Sequence, residues 1–189
     1  GLVLGLPSLA IGLLVVGTTA WVTGAMHYDG LADSLDGLWG GWSPKQRLDI
    51  MKDSHIGVYG VVGLTCILGL QAALYGQLAA QSLWPILGVM ALSRAMMVPL
   101  MTALPNARGT GLSASVGRPA PQTASLALAL GAAVAALSGA WPALIGAPLG
   151  AWAVAIVAKR KIGGQTGDIL GACQQCAETC ALICLVAFL

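Results

Sequence analysis

The chain has 189 residues, of which 57% are hydrophobic and only 8% charged, with 26 glycines, one phenylalanine and a formal net charge of +2. A mean hydropathy of +0.83 excludes an ordinary water-soluble domain and points to an all-α, polytopic integral membrane helix bundle. No basic arm with interleaved aromatics is present, which excludes a nucleic-acid-binding module.

Apolar runs near the ~20 residues that cross a bilayer predict about six transmembrane helices, at residues 7–26, 57–80, 84–104, 123–139, 142–158 and 169–189. They form one domain over 1–189, since no linker or internal repeat divides them. No basic region and cleavage site precede the first span, so no signal peptide is expected. A start at Gly1 rather than Met suggests a trimmed chain. The first helix is expected to run on past the membrane surface through Asp29, Asp33 and Asp36, with Gly37 as its stop and Gly40-Gly41 as the turn. Ser43-Pro44-Lys45-Gln46 then opens another helix, with Ser as N-cap, Pro at the first position and Gln three residues beyond the cap. That helix is expected to carry Asp49 and Asp53 into the second span, which makes 27–56 a catalytic loop.

The third span contains Arg94, which must face the bundle interior. The fourth is short and alanine-rich, as suits a helix packed closely among neighbours. Between them lies the longest irregular stretch, 105–122, a length that favours function or mobility. Gly163-Gly164-Gln165-Thr166-Gly167-Asp168 enters the last span, where backbone N–H groups can cradle phosphate; a plain turn is the alternative. Glu178 lies inside that span and should be paired or protonated, with Arg94 as its natural partner. Cys173, Cys176, Cys180 and Cys184 share one face, a pattern of helix packing rather than of metal or redox chemistry. Five cysteines without loop pairs argue against a disulfide framework. Eight of the nine cations fall in the loops after the first, third and fifth spans, which places those loops and the aspartates in the cytoplasm. Tyr28, Trp39 and Trp42 fit an interfacial aromatic belt.

Five of the seven acidic residues lie between Asp29 and Asp53. Asp29, Asp33 and Asp36 stand at i, i+4 and i+7, and Asp49 and Asp53 repeat the four-residue step, so each set shares a helix face. Carboxylates this close repel and raise one another's pKa unless cations sit among them. The simplest occupant is Mg²⁺ or Mn²⁺, whose usual task beside aspartates is to hold phosphate. The bland alternative is a solvated loop paired with Lys45, Arg47 and Lys52. His27 and His55 flank the acids as candidate ligands or proton carriers.

The run His27-Tyr28-Asp29-Gly30-Leu31-Ala32-Asp33-Ser34-Leu35-Asp36-Gly37, then Met51-Lys52-Asp53-Ser54 and the turn 163–168, resembles the cobalamin synthase family, the adenosylcobinamide-GDP ribazoletransferases, in order over essentially the whole chain. Members carry a further amino-terminal stretch, which again implies truncation here. The resemblance implies a late step of vitamin B12 assembly, in which a hydroxyl of α-ribazole, or of its 5′-phosphate, displaces GMP from adenosylcobinamide-GDP with Mg²⁺. The core is also similar to the motif of the CDP-alcohol phosphotransferases. It lacks their Ala-Arg pair and has Lys45 where they carry glycine, which argues against a CDP substrate.

On that footing Asp33, Asp36, Asp49 and Asp53 would hold one or two Mg²⁺ ions, with Asp29 as a further ligand or orienter. Asp53, by likeness to the lipid enzymes, would be the base, so that Asp33, Asp36 and Asp53 form the catalytic set. His27, Lys52, Arg94, Arg108, Gly164, Gln165, Thr166, Asp168 and Glu178 complete the substrate-binding candidates. The implied partners are these small molecules and the lipid bilayer, with a homo-oligomer compatible, and the implied location is the inner membrane. A cation transporter is the alternative of another class, but transporters place acids near mid-depth rather than at one edge.

Overall fold

In the computed structural model, which describes residues 5–188, the chain forms ten helices: α1 Ser8–Val22, α2 Met26–Gly40, α3 Pro44–Ile50, α4 Val58–Ala79, α5 Trp84–Ala95, α6 Met97–Ala103, α7 Leu112–Val116, α8 Pro121–Leu137, α9 Ala143–Ile162 and α10 Gly167–Ala187. Leu189, the expected end of the last span, lies outside the described residues. Helix α10 forms the centre. It touches α2, α4, α5, α6 and α9, and more than half of its residues are buried.

Four units are long and apolar enough to cross a membrane: α4, α5 with α6, α9 and α10. A fifth arises if α1 and α2 count as one span bent by 93°. The chain is therefore a multi-pass membrane helix bundle, with a span count below the expected six for two local reasons. Helix α8 has 17 residues, about 25 Å of rise against a hydrocarbon core of about 30 Å. Helix α1 stops at 15 residues.

That early stop corrects the expectation of one helix from residue 7 through Asp36. Gly24 takes a left-handed φ of +60°, and the amide of Ala25 reaches the carbonyl of Ala20 at 2.7 Å while that of Gly24 reaches Trp21 at 3.2 Å. These two bonds are a Schellman termination with glycine at its left-handed position. The chain then bends by 93° into α2, which packs against α4 and α10.

The second correction concerns α3. It starts as expected, with the amide of Gln46 donating to Ser43 Oγ at 3.2 Å and Pro44 in the first turn. It ends at Ile50, however, and Asp53 lies beyond it in an irregular segment before α4. The Asp53 carboxylate accepts from the amide of His55 at 3.2 Å, a local turn that competes with helix. The third span is likewise divided at Met96, because Pro99 has no N–H to offer the preceding turn.

Close helix approach depends on glycine. A Cβ on Gly12 would collide with the backbone of Ala72, and one on Gly146 or Gly150 with the backbone of Cys180 or Cys176. The cysteine face of α10 is thus the seat of α9, as expected for small-residue packing. Gly150→Ala should destabilise the folded protein by about 1–3 kcal/mol through overpacking. Gly17→Ala, whose Cβ meets nothing, should be neutral or slightly stabilising. Thermal melts of the two variants in detergent check this, and equal midpoints would contradict it.

Candidate active site

The acidic end of α2 is held in place at three points. Asp36 is buried, and its carboxylate accepts from the amides of Gly57 at 2.7 Å and Gly60 at 2.9 Å. It thereby caps the N-terminus of α4, satisfying free amides and the helix dipole together. A Cβ on Gly57 or Gly60 would run into that carboxylate. At the other end the Tyr28 hydroxyl donates to Gln71 Oε1 at 3.3 Å. Between them Gly30 meets Gly171 of α10, where a Cβ on either would stand about 3.1–3.2 Å from the other's Cα.

This glycine contact sets Asp29 and Asp33 beside Asp168 in the first turn of α10. Asp33 is half-buried, and its carboxyl is pushed up to about 7, first by burial and then by the charges of Asp29, Asp168 and Asp36; Arg108 works in the opposite direction. Three carboxylates therefore share one field with a single nearby guanidinium. Arg108 Nη2 donates to Asp168 Oδ2 at 2.8 Å, and Thr166 Oγ1 donates to the same oxygen at 3.2 Å.

A cavity of about 350 Å³ opens at this cluster, with His27, Asp29, Arg108, Thr110, Ser113 and Asp168 along its polar side. Its far wall comes from the 105–116 segment, which is docked on the start of α10. Gln165 donates its amide to Pro105 O and accepts from Ala107 N, both at 2.8 Å. A Cβ on Gly164 would strike the carbonyl of Pro105. Thr166 caps α10 by accepting from the amide of Ile169 at 3.3 Å. Gly164, Gln165 and Thr166 are thus buried and build the turn, while Gly167 and Asp168 line the cavity.

Other expected residues lie elsewhere. Asp49 is exposed and paired with Lys45 at 2.8 Å, and Asp53 is exposed and paired with His55 Nδ1 at 2.7 Å. Neither is among the charges that act on Asp33. Lys52 is exposed on the same segment. Arg94 does meet Glu178, at 3.4 Å, inside the bundle. The Glu178 carboxylate is wholly buried and also accepts from Tyr75 at 2.7 Å, Ser93 at 3.1 Å and Gln174 at 2.6 Å. The sequence reading missed this network and Asn106. Three glutamines in otherwise apolar spans were the signal for the first. The second is an Asx turn before Arg-Gly, in which Asn106 Oδ1 accepts from the amides of Arg108 at 3.0 Å and Gly109 at 2.6 Å.

The donors at the cluster are all carboxylate oxygens, which suit a hard divalent cation. Among the described residues no three acidic, histidine or cysteine side chains converge closely enough to hold a metal by themselves. Mg²⁺ is characteristically held by one or two carboxylates, with substrate phosphates and water completing the shell. The residues present fit that mode.

The raised Asp33 fixes a sign for pH dependence. Without metal, folded Asp33 keeps its proton at pH values where the unfolded chain has released it, so stability is lost as pH rises from the ordinary carboxylate range through about 7. Melts in chelator between about pH 4.5 and 7.5 should therefore fall more steeply with pH for the native chain than for Asp33→Asn. Parallel slopes would contradict the raised Asp33 carboxyl.

The family model described as cobalamin-5-phosphate synthase matches residues 1–186. An adenosylcobinamide-GDP ribazoletransferase of Brucella canis is 41% identical over 196 residues, covering 97% of this chain and 75% of that protein. One from Bradyrhizobium diazoefficiens is 43% identical over 195 residues, covering 98% and 74%. No solved structure gives a significant match.

Proposed function

Because the chain belongs to the cobalamin-5-phosphate synthase family, we propose that it works as an adenosylcobinamide-GDP ribazoletransferase with its reaction centre at the Asp29, Asp33 and Asp168 cluster. A hydroxyl of α-ribazole, or of its 5′-phosphate, attacks the cobinamide-bearing phosphorus of adenosylcobinamide-GDP. The new P–O bond forms as the bond to the bridging oxygen breaks, GMP leaves with that electron pair, and the hydroxyl proton passes to a nearby base. The observation that carries this reading is that Asp29 of α2 and Asp168 of α10 line one cavity with Arg108, with Asp33 near enough to feel the charges of all three.

Phosphoryl transfer asks a protein mainly for position and charge. Asp29 and Asp168, the two carboxylates on the cavity wall, would hold Mg²⁺ together with the substrate phosphates, and the ion would supply positive charge to the diphosphate. Arg108, oriented by Asp168, supplies a fixed positive group at the rim. The first turn of α10 presents free amides beside Thr166, whose hydroxyl serves as the cap. Asp33, half-buried beside Asp29 and Asp168, is the candidate to accept the hydroxyl proton. Asp36 acts through the placement of α2, since the α4 cap occupies its carboxylate.

The charged loops gather at one end of the bundle. Arg47 Nη1 donates to Lys161 O at 2.8 Å, and Lys161 Nζ donates to Leu38 O at 2.7 Å. By the positive-inside rule that end faces the cytoplasm, and the bilayer is the bacterial inner membrane.

The test is nucleotide release by the purified chain in detergent, supplied with adenosylcobinamide-GDP, α-ribazole and Mg²⁺. GMP should appear, stop with chelator, and be absent with a CDP-lipid donor. Asp33→Asn and Asp168→Asn should each lower kcat about 10²–10³-fold while the protein stays folded. Asp53→Asn should keep turnover; a loss equal to that of Asp33→Asn would return Asp53 to the reaction centre.

A further inference from the structure

The cavity beside the carboxylates has a second, apolar half that phosphate chemistry leaves unused. Met26 of α2, Met97 and Met101 of α6, Leu112 and Val116 of α7, and Leu170 of α10 line it. Resting on the reaction proposed above, we propose that this half seats the benzimidazole base of α-ribazole, with the ribose at the rim between Asp29 and Arg108.

Size is the first reason. About 350 Å³ lies at the small end of ligand pockets, roughly 300–1,000 Å³, and accommodates a nucleoside but not a corrin ring with its side-chain amides. Polarity separates the two nucleosides of the reaction. Guanine carries donors and acceptors around most of its edge, and these would go unpaired against methionine and leucine side chains. A benzimidazole presents carbon on nearly all of its edge, and thioethers contact aromatic rings favourably while adapting to their outline.

The rim supplies the third reason. Arg108 lines the cavity, with Nη2 held by Asp168. Its guanidinium is a fixed donor group beside which a ribose hydroxyl would sit. The same placement brings the sugar's attacking hydroxyl to Asp29 and Asp168 on the cavity wall. Helix α7 closes this half, and its Leu112 and Val116 are each 68% exposed, so the bound base would cover apolar surface that the fold leaves open.

The experiment uses Leu112→Trp on α7 and Met97→Trp on α6, both at positions lining the cavity, in the full purified chain. Leu130→Trp on the exposed side of α8 is the control. Equilibrium dialysis of α-ribazole without corrinoid reads the pocket directly, and steady-state GMP release reads it during turnover. The two cavity variants should raise both the Kd and the KM of α-ribazole about tenfold or more, leaving the KM of adenosylcobinamide-GDP unchanged; the control should alter neither. Unchanged α-ribazole binding in both variants overturns the proposal, as does a rise confined to the KM of adenosylcobinamide-GDP. If α-ribazole binds and the variants weaken it, but no GMP is ever released, the pocket stands and the reaction reading falls.

Discussion

The site depends on the contact of two glycines. Gly30 and Gly171 let the backbones of α2 and α10 approach so closely that a Cβ on either would press on the other's Cα. Only at that separation can Asp29 and Asp33, one α-helical face of α2, share a field with Asp168 in the first turn of α10. Burial first, and then the repulsion of carboxylates drawn together in this way, push the Asp33 carboxyl up. The fold holds them by anchoring α2 on either side of the contact, through the Asp36 cap on α4 and through Tyr28 on Gln71.

Two kinds of carboxylate follow from the same helix. Asp36 is buried and supplied with two backbone amides, so it is satisfied within the protein and acts as structure. Asp29, Asp33 and Asp168 have one guanidinium, that of Arg108, acting among them, and Asp29 and Asp168 open onto a cavity. Glu178 belongs with Asp36. It is wholly buried, accepts from Tyr75, Ser93 and Gln174, and has Arg94 as its counter-charge. In a bundle whose faces are otherwise apolar, that network gives α4, α5 and α10 a specific register.

Much of this was legible in the sequence. Composition gave the helical membrane class, and the H-x-D-G-L-A-D-x-x-D-G run gave the family, because both are local properties of the chain. The Ser43 cap, the Arg94 and Glu178 pair, and the use of the cysteine face for packing were also readable from residue type and spacing. The break after Val22 was readable in principle, since Gly24 is the kind of residue that ends a helix, but an uninterrupted apolar run outweighed it. The early end of α3 was less so. It turns on whether Asp53 bonds its own neighbour His55 or faces another acid, and spacing alone does not choose between them.

The sequence by itself determined which chemistry is available: a bundle of apolar helices, carboxylates concentrated at one edge, and cations gathered in the same loops. Only the tertiary structure decided which acids meet. Asp168 lies more than a hundred residues from Asp33 and joins it through a glycine crossing, while Asp36, three residues away, is diverted to a helix cap. The physical reason is that helical periodicity fixes a side chain's face but not what stands opposite it. That is set by how closely two backbones can pack and by which buried amides require an acceptor.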